Sequence, residues 1–303
     1  MDTQVTVSVY DTDKKRAKEA IEAAFTRMEE IELIASIYDE RAQAYRLNEY
    51  GELEDPSPEL VEILTAAKQY YEISGGVFDV TVEPLLALWR YRQGAERQFW
   101  ELGKEEQKGA ISNVMPVIGP KNIYVEPGVV SLKPGTKITL GGLAKGYAVD
   151  QGLKELREIG IEHALIDAGG DIGVMGGRPD GDPWEIALRN PGDRQEFLTS
   201  FRLREGAVAT SGNYERYFDE QAEVGHIMDP RTGYSAQTSS SATVIAPTCM
   251  QADAMATAVF VLGPVEGIRL ANSIEDLETL IVGYDDPSQL YRSDGLEVFE
   301  FEQ

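Results

Sequence analysis

Residues 140–150 read Leu140-Gly141-Gly142-Leu143-Ala144-Lys145-Gly146-Tyr147-Ala148-Val149-Asp150, and the fold class turns on them. A short strand expected over 137–140 meets paired glycines, after which helical spacing runs over 143–159. Glycines at such a junction let the backbone approach a ligand, and amides at a helix start can hold phosphate. A tight turn that simply packs fits the same residues. The stretch matches neither G-x-x-x-x-G-K-S/T nor G-x-G-x-x-G, which sets aside a P-loop and a Rossmann dinucleotide unit.

Outward from this junction the pattern stays mixed. Val5, Val7 and Val9 recur at period two in a strand over 3–10, and Ile21, Ala24, Phe25, Met28, Ile31 and Ile34 make 14–37 a long amphipathic helix. A polar loop holding Arg46-Leu47-Asn48 follows, then a helix over 59–71 that Ser74-Gly75-Gly76 ends. Residues 77–89 pass from a glycine turn into an apolar helix. Short strands are expected at 123–125, 129–132, 164–166, 184–188, 197–203, 207–210, 241–246 and 279–283, with a helical pair at 252–262 and 265–272. Without a sustained βαβ period the class is α+β, with mixed or antiparallel sheets flanked by helices. No linker or repeat divides the chain, so 1–303 reads as one domain.

Composition narrows the function. The 303 residues are 42% hydrophobic, ample for a core, and carry a formal net charge of −24. The sequence pI is about 4.4, so most of the surface repels nucleic acid and anionic lipid. A phosphate-bearing ligand would need a metal ion or backbone amides to hold it. The single Cys249 excludes an intrachain disulfide framework and cysteine-rich metal sites. No stretch reads as a membrane span of about 20 apolar residues, and residues 1–9 alternate like a strand instead of showing a signal peptide.

Four segments can carry chemistry. In Ala252-Asp253-Ala254-Met255-Ala256-Thr257 a carboxylate and a hydroxyl four residues apart project from one helix face, flanked by small alanines, as a hard cation's oxygen donors would. Spacing alone favours the plainer reading, in which Asp253 caps the helix and Thr257 bonds back to its own turn. The junction at 140–146 is the second segment. The third, Gly225-His226-Ile227-Met228-Asp229-Pro230-Arg231-Thr232-Gly233, holds one of only two histidines, and His226 there suits a general base or a hydrogen-bonded surface group. His163, at the entry of an apolar strand, reads as structural. The fourth, Gly76-Val77-Phe78-Asp79, can stack or edge-bond a ring system, although Phe78 also reads as core filler. Ala209-Thr210-Ser211-Gly212-Asn213-Tyr214 is a polar turn without decisive chemistry of its own.

Taken in order, these segments resemble the ApbE family, the FAD:protein FMN transferases, over nearly the whole chain. Met1-Asp2-Thr3 resembles the family's Met-Gly-Thr opening, with Asp2 in place of glycine, followed by Leu47-Asn48, residues 76–84, Leu88-Trp89, residues 140–150, Gly169-Gly170-Asp171, Thr210-Ser211-Gly212, residues 226–233, and Ala252-Asp253 with Ala256-Thr257. The resemblance implies an ApbE-like fold and Mg²⁺ at Asp253, Ala256 and Thr257, with backbone oxygen from the turn at Gly142 to Ala144. It implies FAD contacts at Met1, Asn48, Val77, Phe78, Asp79, Lys145 and Ile227. Asp253 and His226 are the implied catalytic residues, His226 taking the proton from an acceptor Ser or Thr. Implied targets are flavoprotein subunits of Nqr and Rnf-type redox complexes, which suggests the cell envelope. Residues 1–9 do not resemble the family's usual lipoprotein or export leader. An FAD pyrophosphatase and a non-catalytic FAD-binding protein are the alternatives.

Overall fold

Residues 3–193, 195–213, 217–219 and 224–301 are described by a computed structural model. In chain order the elements are β1 (Val5–Tyr10), α1 (Lys14–Ala35), α2 (Gln43–Tyr50), β2 (Glu52–Glu54), α3 (Pro58–Ile73), α4 (Glu83–Trp89), α5 (Lys104–Val114), β3 (Ile123–Glu126), β4 (Val129–Leu132) and α6 (Ala144–Glu158). There follow β5 (His163–Ala168), β6 (Ile172–Met175), β7 (Trp184–Arg189), β8 (Phe197–Leu203), β9 (Gly206–Ser211), β10 (Tyr217–Asp219), β11 (Val224–Gly225), β12 (Ser239–Ala246), α7 (Cys249–Asn272), β13 (Glu278–Gly283), β14 (Leu290–Arg292) and β15 (Glu300–Phe301). Helices and antiparallel sheets mix as the α+β reading expects. The chain forms two compact units: the first is Met1–Glu32, Leu143–Ser211 and Thr238–Gln303, the second Leu33–Gly142 and Gly212–Gln237.

The first unit is built on a sheet in the order β1-β5-β6-β9-β12-β13-β14, antiparallel at every pairing. Side chains alternate across a strand, and in β9 and β12 the face toward α7 is made of Ala207, Ala209, Ala242, Val244 and Ala246. These small residues let the helix lie close. The opposite face, with Val174, Val208, Ile245, Leu280 and Val282, packs on Trp184, Ile186, Phe201 and Leu203 of a second sheet ordered β15-β8-β7. Helix α6 lies over β5 and β6: a Cβ at Gly152 would meet Ile166 Cδ1 at 2.9 Å, and one at Gly173 would meet Leu153 Cδ1 at 2.7 Å. His163 is structural, as expected, its Nδ1 lying 2.8 Å from Gly176 O and 3.0 Å from Gly177 O.

Among the described residues, helix α7 alone bears on the reading that nothing approaches a membrane span, and by length and composition only. Its 24 residues, with mean hydropathy 1.4 in the most apolar window, satisfy length and composition for one, though 56% of that window is buried in the protein. The backbone also breaks within it. Gly263 (φ 77, ψ −177) precedes Pro264, which has no N–H to give, and the Thr238 hydroxyl donates to the carbonyls of Phe260 and Val261. The expected helical pair is therefore present, its two helices meeting at a kink where the gap was read.

The second unit holds the sheet β2-β4-β3 and the hairpin pair β10-β11, with α2 to α5 around a core of Leu85, Leu86, Trp89, Ile111, Ile118, Val224 and Met228. Two expectations fail here. Arg46-Leu47-Asn48 is not in a loop but in α2, because Ala44 and Leu47, three apart, give that polar stretch a buried face, and Gly51 at φ 74 ends it. Residues 137–140 do not form a strand. Their extended backbone bonds instead to the Asn48 side chain and, through Thr139 N–H at 2.7 Å, to Val80 O.

Candidate active site

The start of α6 and the first turns of α7 meet in the first unit, and a glycine sets their spacing. A Cβ built on Gly146 would stand 2.3 Å from Cys249 O and 2.8 Å from Met250 Cα. Asp150, one turn further along α6, accepts from Cys249 N–H at 2.8 Å and Met250 N–H at 2.9 Å, so its carboxylate seats the amino end of α7 where the helix dipole favours negative charge. Thr248 is the N-cap, its hydroxyl accepting from Gln251 N–H at 3.2 Å. The plainer reading of Asp253 as the cap is thereby excluded. That carboxylate points across the crossing and accepts from Gly146 N–H at 3.2 Å.

Around this contact lies an ionic group of two buried carboxylates and a half-buried ammonium. Asp253 is 6% exposed and Asp171 2% exposed, and Lys145 Nζ stands 2.8 Å from Asp171 Oδ2. That approach is an ion pair without hydrogen-bond alignment, and it leaves Asp171 Oδ2 buried with no directed donor. Burial is the main force raising the Asp253 carboxyl well above the ordinary range, the Asp171 charge adds to it, and Lys145 opposes it. Burial likewise raises Asp171 against the pull of Lys145. Burial works against the Lys145 ammonium, yet the charges of Asp171 and Asp253 outweigh it and hold the group above the usual lysine value. Two buried carboxylates facing one ammonium lack a full unit of positive charge.

The hydroxyls come next to this group. Thr257 lies one turn beyond Asp253 on α7, and its Oγ1 is 3.3 Å from Ser211 Oγ at the end of β9. Asp253, Asp171, Thr257 and Ser211 supply oxygen only, and the buried carboxylate oxygen lacks a donor, so the donors suit a hard divalent cation. Among the described residues no cluster of three or more His, Cys, Asp or Glu side chains is arranged to hold a metal. A cation here would rely on hydroxyls, backbone oxygens and substrate phosphate. Ala144 opens α6, and Ala256 is fully buried beside Thr257, offering no side-chain donor.

The other expected residues belong to the second unit. Asn48 Nδ2 donates to Ile138 O at 2.8 Å and its Oδ1 accepts from Ile138 N–H at 2.7 Å, copying a strand pairing with one side chain. Val77 and Phe78 are buried, Phe78 packing edge-on to Tyr70 with centroids 6.1 Å apart. Asp79 accepts from Thr81 N–H and Oγ1 at 2.8 and 2.6 Å, and burial raises its carboxyl against those two bonds. Gly142 is the last residue of that unit's first segment. His226 is half-buried between Gly225 and a buried Ile227. Met1 lies outside the described residues.

A model of the ApbE family matches residues 1–281. The chain belongs to the ApbE family. Among curated relatives, the FAD:protein FMN transferase of Haemophilus influenzae is 29% identical, with 92% of this chain and 81% of that protein covered. The protein of the same name from Vibrio cholerae is 30% identical over 90% of this chain and 82% of its own length. The crystal structure of the ApbE protein of Thermotoga maritima superposes with a TM-score of 0.88 at 31% identity, covering 99% of this chain and 96% of that one. Within this ApbE chain, sequence reasoning gave no role to Asp171, Asp150, Ser211 or Asn213. The first two closed the Gly-Gly-Asp and 140–150 motifs, and a buried acid ending a glycine turn was the available signal.

Proposed function

We propose that this chain is a flavin transferase, working as one domain, which cleaves FAD and joins the FMN half through its phosphate to a Ser or Thr hydroxyl of another protein. The buried Asp171 and Asp253 carboxylates, with the half-buried Lys145 ammonium, beside the Thr257 and Ser211 hydroxyls carry the reading, because the group is short of positive charge and rich in oxygen donors. Mg²⁺ would be held by Asp253 and Thr257 with backbone oxygen from Gly142 and Ala144. Once bound, it would neutralise charge building on the pyrophosphate.

Lys145 keeps its ammonium charged and aimed by Asp171, ready for a phosphate oxygen. Asn48, residues 77–79, Ile227 and Met1 are the proposed flavin and adenine contacts. His226 takes the proton from the acceptor hydroxyl, whose oxygen attacks the FMN-side phosphorus. The bond from that phosphorus to the bridging oxygen breaks, and AMP departs with the bridging oxygen. Proposed acceptors are flavoprotein subunits of Nqr and Rnf-type complexes carrying an Asp-x-x-Ser/Thr-Gly/Ser-Ala-Thr motif, which would place the chain at the cell envelope.

The test incubates the protein with FAD, Mg²⁺ and such a subunit domain, then follows the target by in-gel fluorescence and mass spectrometry. An FMN adduct that survives denaturation, lost in Asp253→Ala, is expected. Release of FMN and AMP with an unmodified target would make the chain a pyrophosphatase, and intact FAD would make it a flavin carrier.

A further inference from the structure

The turn that carries His226 is held on both sides by one buried amide. Asn213, 6% exposed, accepts from Ile227 N–H through Oδ1 at 3.2 Å and donates through Nδ2 to Ala236 O at 2.7 Å. Ala236 N–H in turn donates to Ile227 O at 2.9 Å, closing a ring of bonds just after the histidine. Just before it stands Gly225, where a Cβ would fall 2.0 Å from both Cγ and Oδ1 of Asn213. The bare glycine leaves room for the amide. Ser235 tightens the same residue, accepting from Gly225 N–H at 3.0 Å and donating to Gly225 O at 3.2 Å.

We propose that Asn213 is the positioning residue for His226, fixing the backbone of residues 225–227 so that the imidazole keeps one direction toward the acceptor hydroxyl. This rests on the proton-accepting role given to His226 above. Both ends of the amide are used, so a carboxylate of the same shape does not replace it. In Asn213→Asp an oxygen takes the place of the donor and faces Ala236 O as a buried, unpaired acceptor. Small displacements of a catalytic base cost rate steeply, on the order of a hundredfold for about 1 Å.

The chain has only two histidines, so ¹⁵N-histidine labelling gives two imidazoles, and His163, held by Gly176 and Gly177 in the first unit, is an internal reference. In Asn213→Ala the His226 ring resonances are expected to move or broaden while those of His163 stay, and flavin transfer to slow about 10- to 100-fold. Gly225→Ala retains Asn213 but evicts it, and should move the same resonances, which keeps the test alive if Asn213→Ala folds poorly. Because Asn213 acts through His226, a variant combining Asn213→Ala with His226→Ala should be no slower than His226→Ala alone. A multiplied loss in the combined variant, or an unmoved His226 resonance, overturns the proposal. If the wild-type chain transfers no flavin, the reading of its activity falls, and the resonances still decide whether Asn213 orients His226.

Discussion

Replacing Gly146 by alanine sets two effects of opposite sign against each other. Alanine suits a helix better than glycine by about 1 kcal/mol, and less in a first turn, so propensity alone predicts a more stable protein. The crossing predicts the reverse. The new methyl carbon would lie 2.3, 2.5 and 2.8 Å from Cys249 O, Cys249 C and Met250 Cα, all backbone atoms that cannot rotate aside. Restoring ordinary contact requires α6 and α7 to part by about 1 Å, an overpacking cost of ~1–3 kcal/mol. The same shift stretches the bonds from Asp150 to the Cys249 and Met250 amides, now 2.8 and 2.9 Å, to the edge of bonding, and strains that from Asp253 to Gly146. Bonds to a charged group are worth ~1.5–3 kcal/mol each, so even partial loss leaves a net destabilisation of about 2–4 kcal/mol. Differential scanning calorimetry in chelator should find Gly146→Ala melting about 3–6 °C below wild type. An equal or higher Tm would refute the account of the crossing.

Asp253 and Asp171 have carboxyl pKa values raised in the fold, mainly by burial, so they stabilise the chelated protein below the ordinary carboxylate range near pH ~4, and this contribution is lost as pH rises through the raised values. Magnesium should compete with protons for these carboxylates, so the gap in Tm between Mg²⁺-saturated and chelated protein should widen with rising pH. Calorimetry across that range checks it, and a gap that narrows would count against the site. Asn48→Ala removes both bonds to the Ile138 peptide and should cost ~2 kcal/mol in urea denaturation. Unchanged stability would show that Asn48 is not holding residues 137–140.

The sequence showed elements whose partners lie close in pattern. Phe197–Leu203 and Val129–Leu132 carry their strand alternation openly, and the gap read between the late helices fell on Gly263 and Pro264. It misread places where one side chain stands in for secondary structure. Residues 137–140 have strand-like composition, yet an asparagine from α2 occupies the position of a neighbouring strand. The site followed the same rule. Asp253 and Thr257 could be paired from their spacing on one helix, although spacing alone favoured a cap and a back-bond, whereas Asp171, just before β6, and Ser211, at the end of β9, lie near them through sheet order, which no local window contains. Asp150 was hidden differently, since an acid inside a helix reads as a solvated surface until its partner amides are seen.

The edge strand β1 pairs with β5, Val5 opposite Ala168, so during synthesis β1 waits for roughly 160 further residues before its hydrogen-bonding partner exists. At translation speeds of roughly 5–20 residues per second this is about 8–30 s during which a valine-lined ribbon is unpaired. Such distant closure makes folding slow. Trigger-factor-like holdases, or synthesis at low temperature, should therefore govern the yield of soluble protein more than any single contact in the finished molecule.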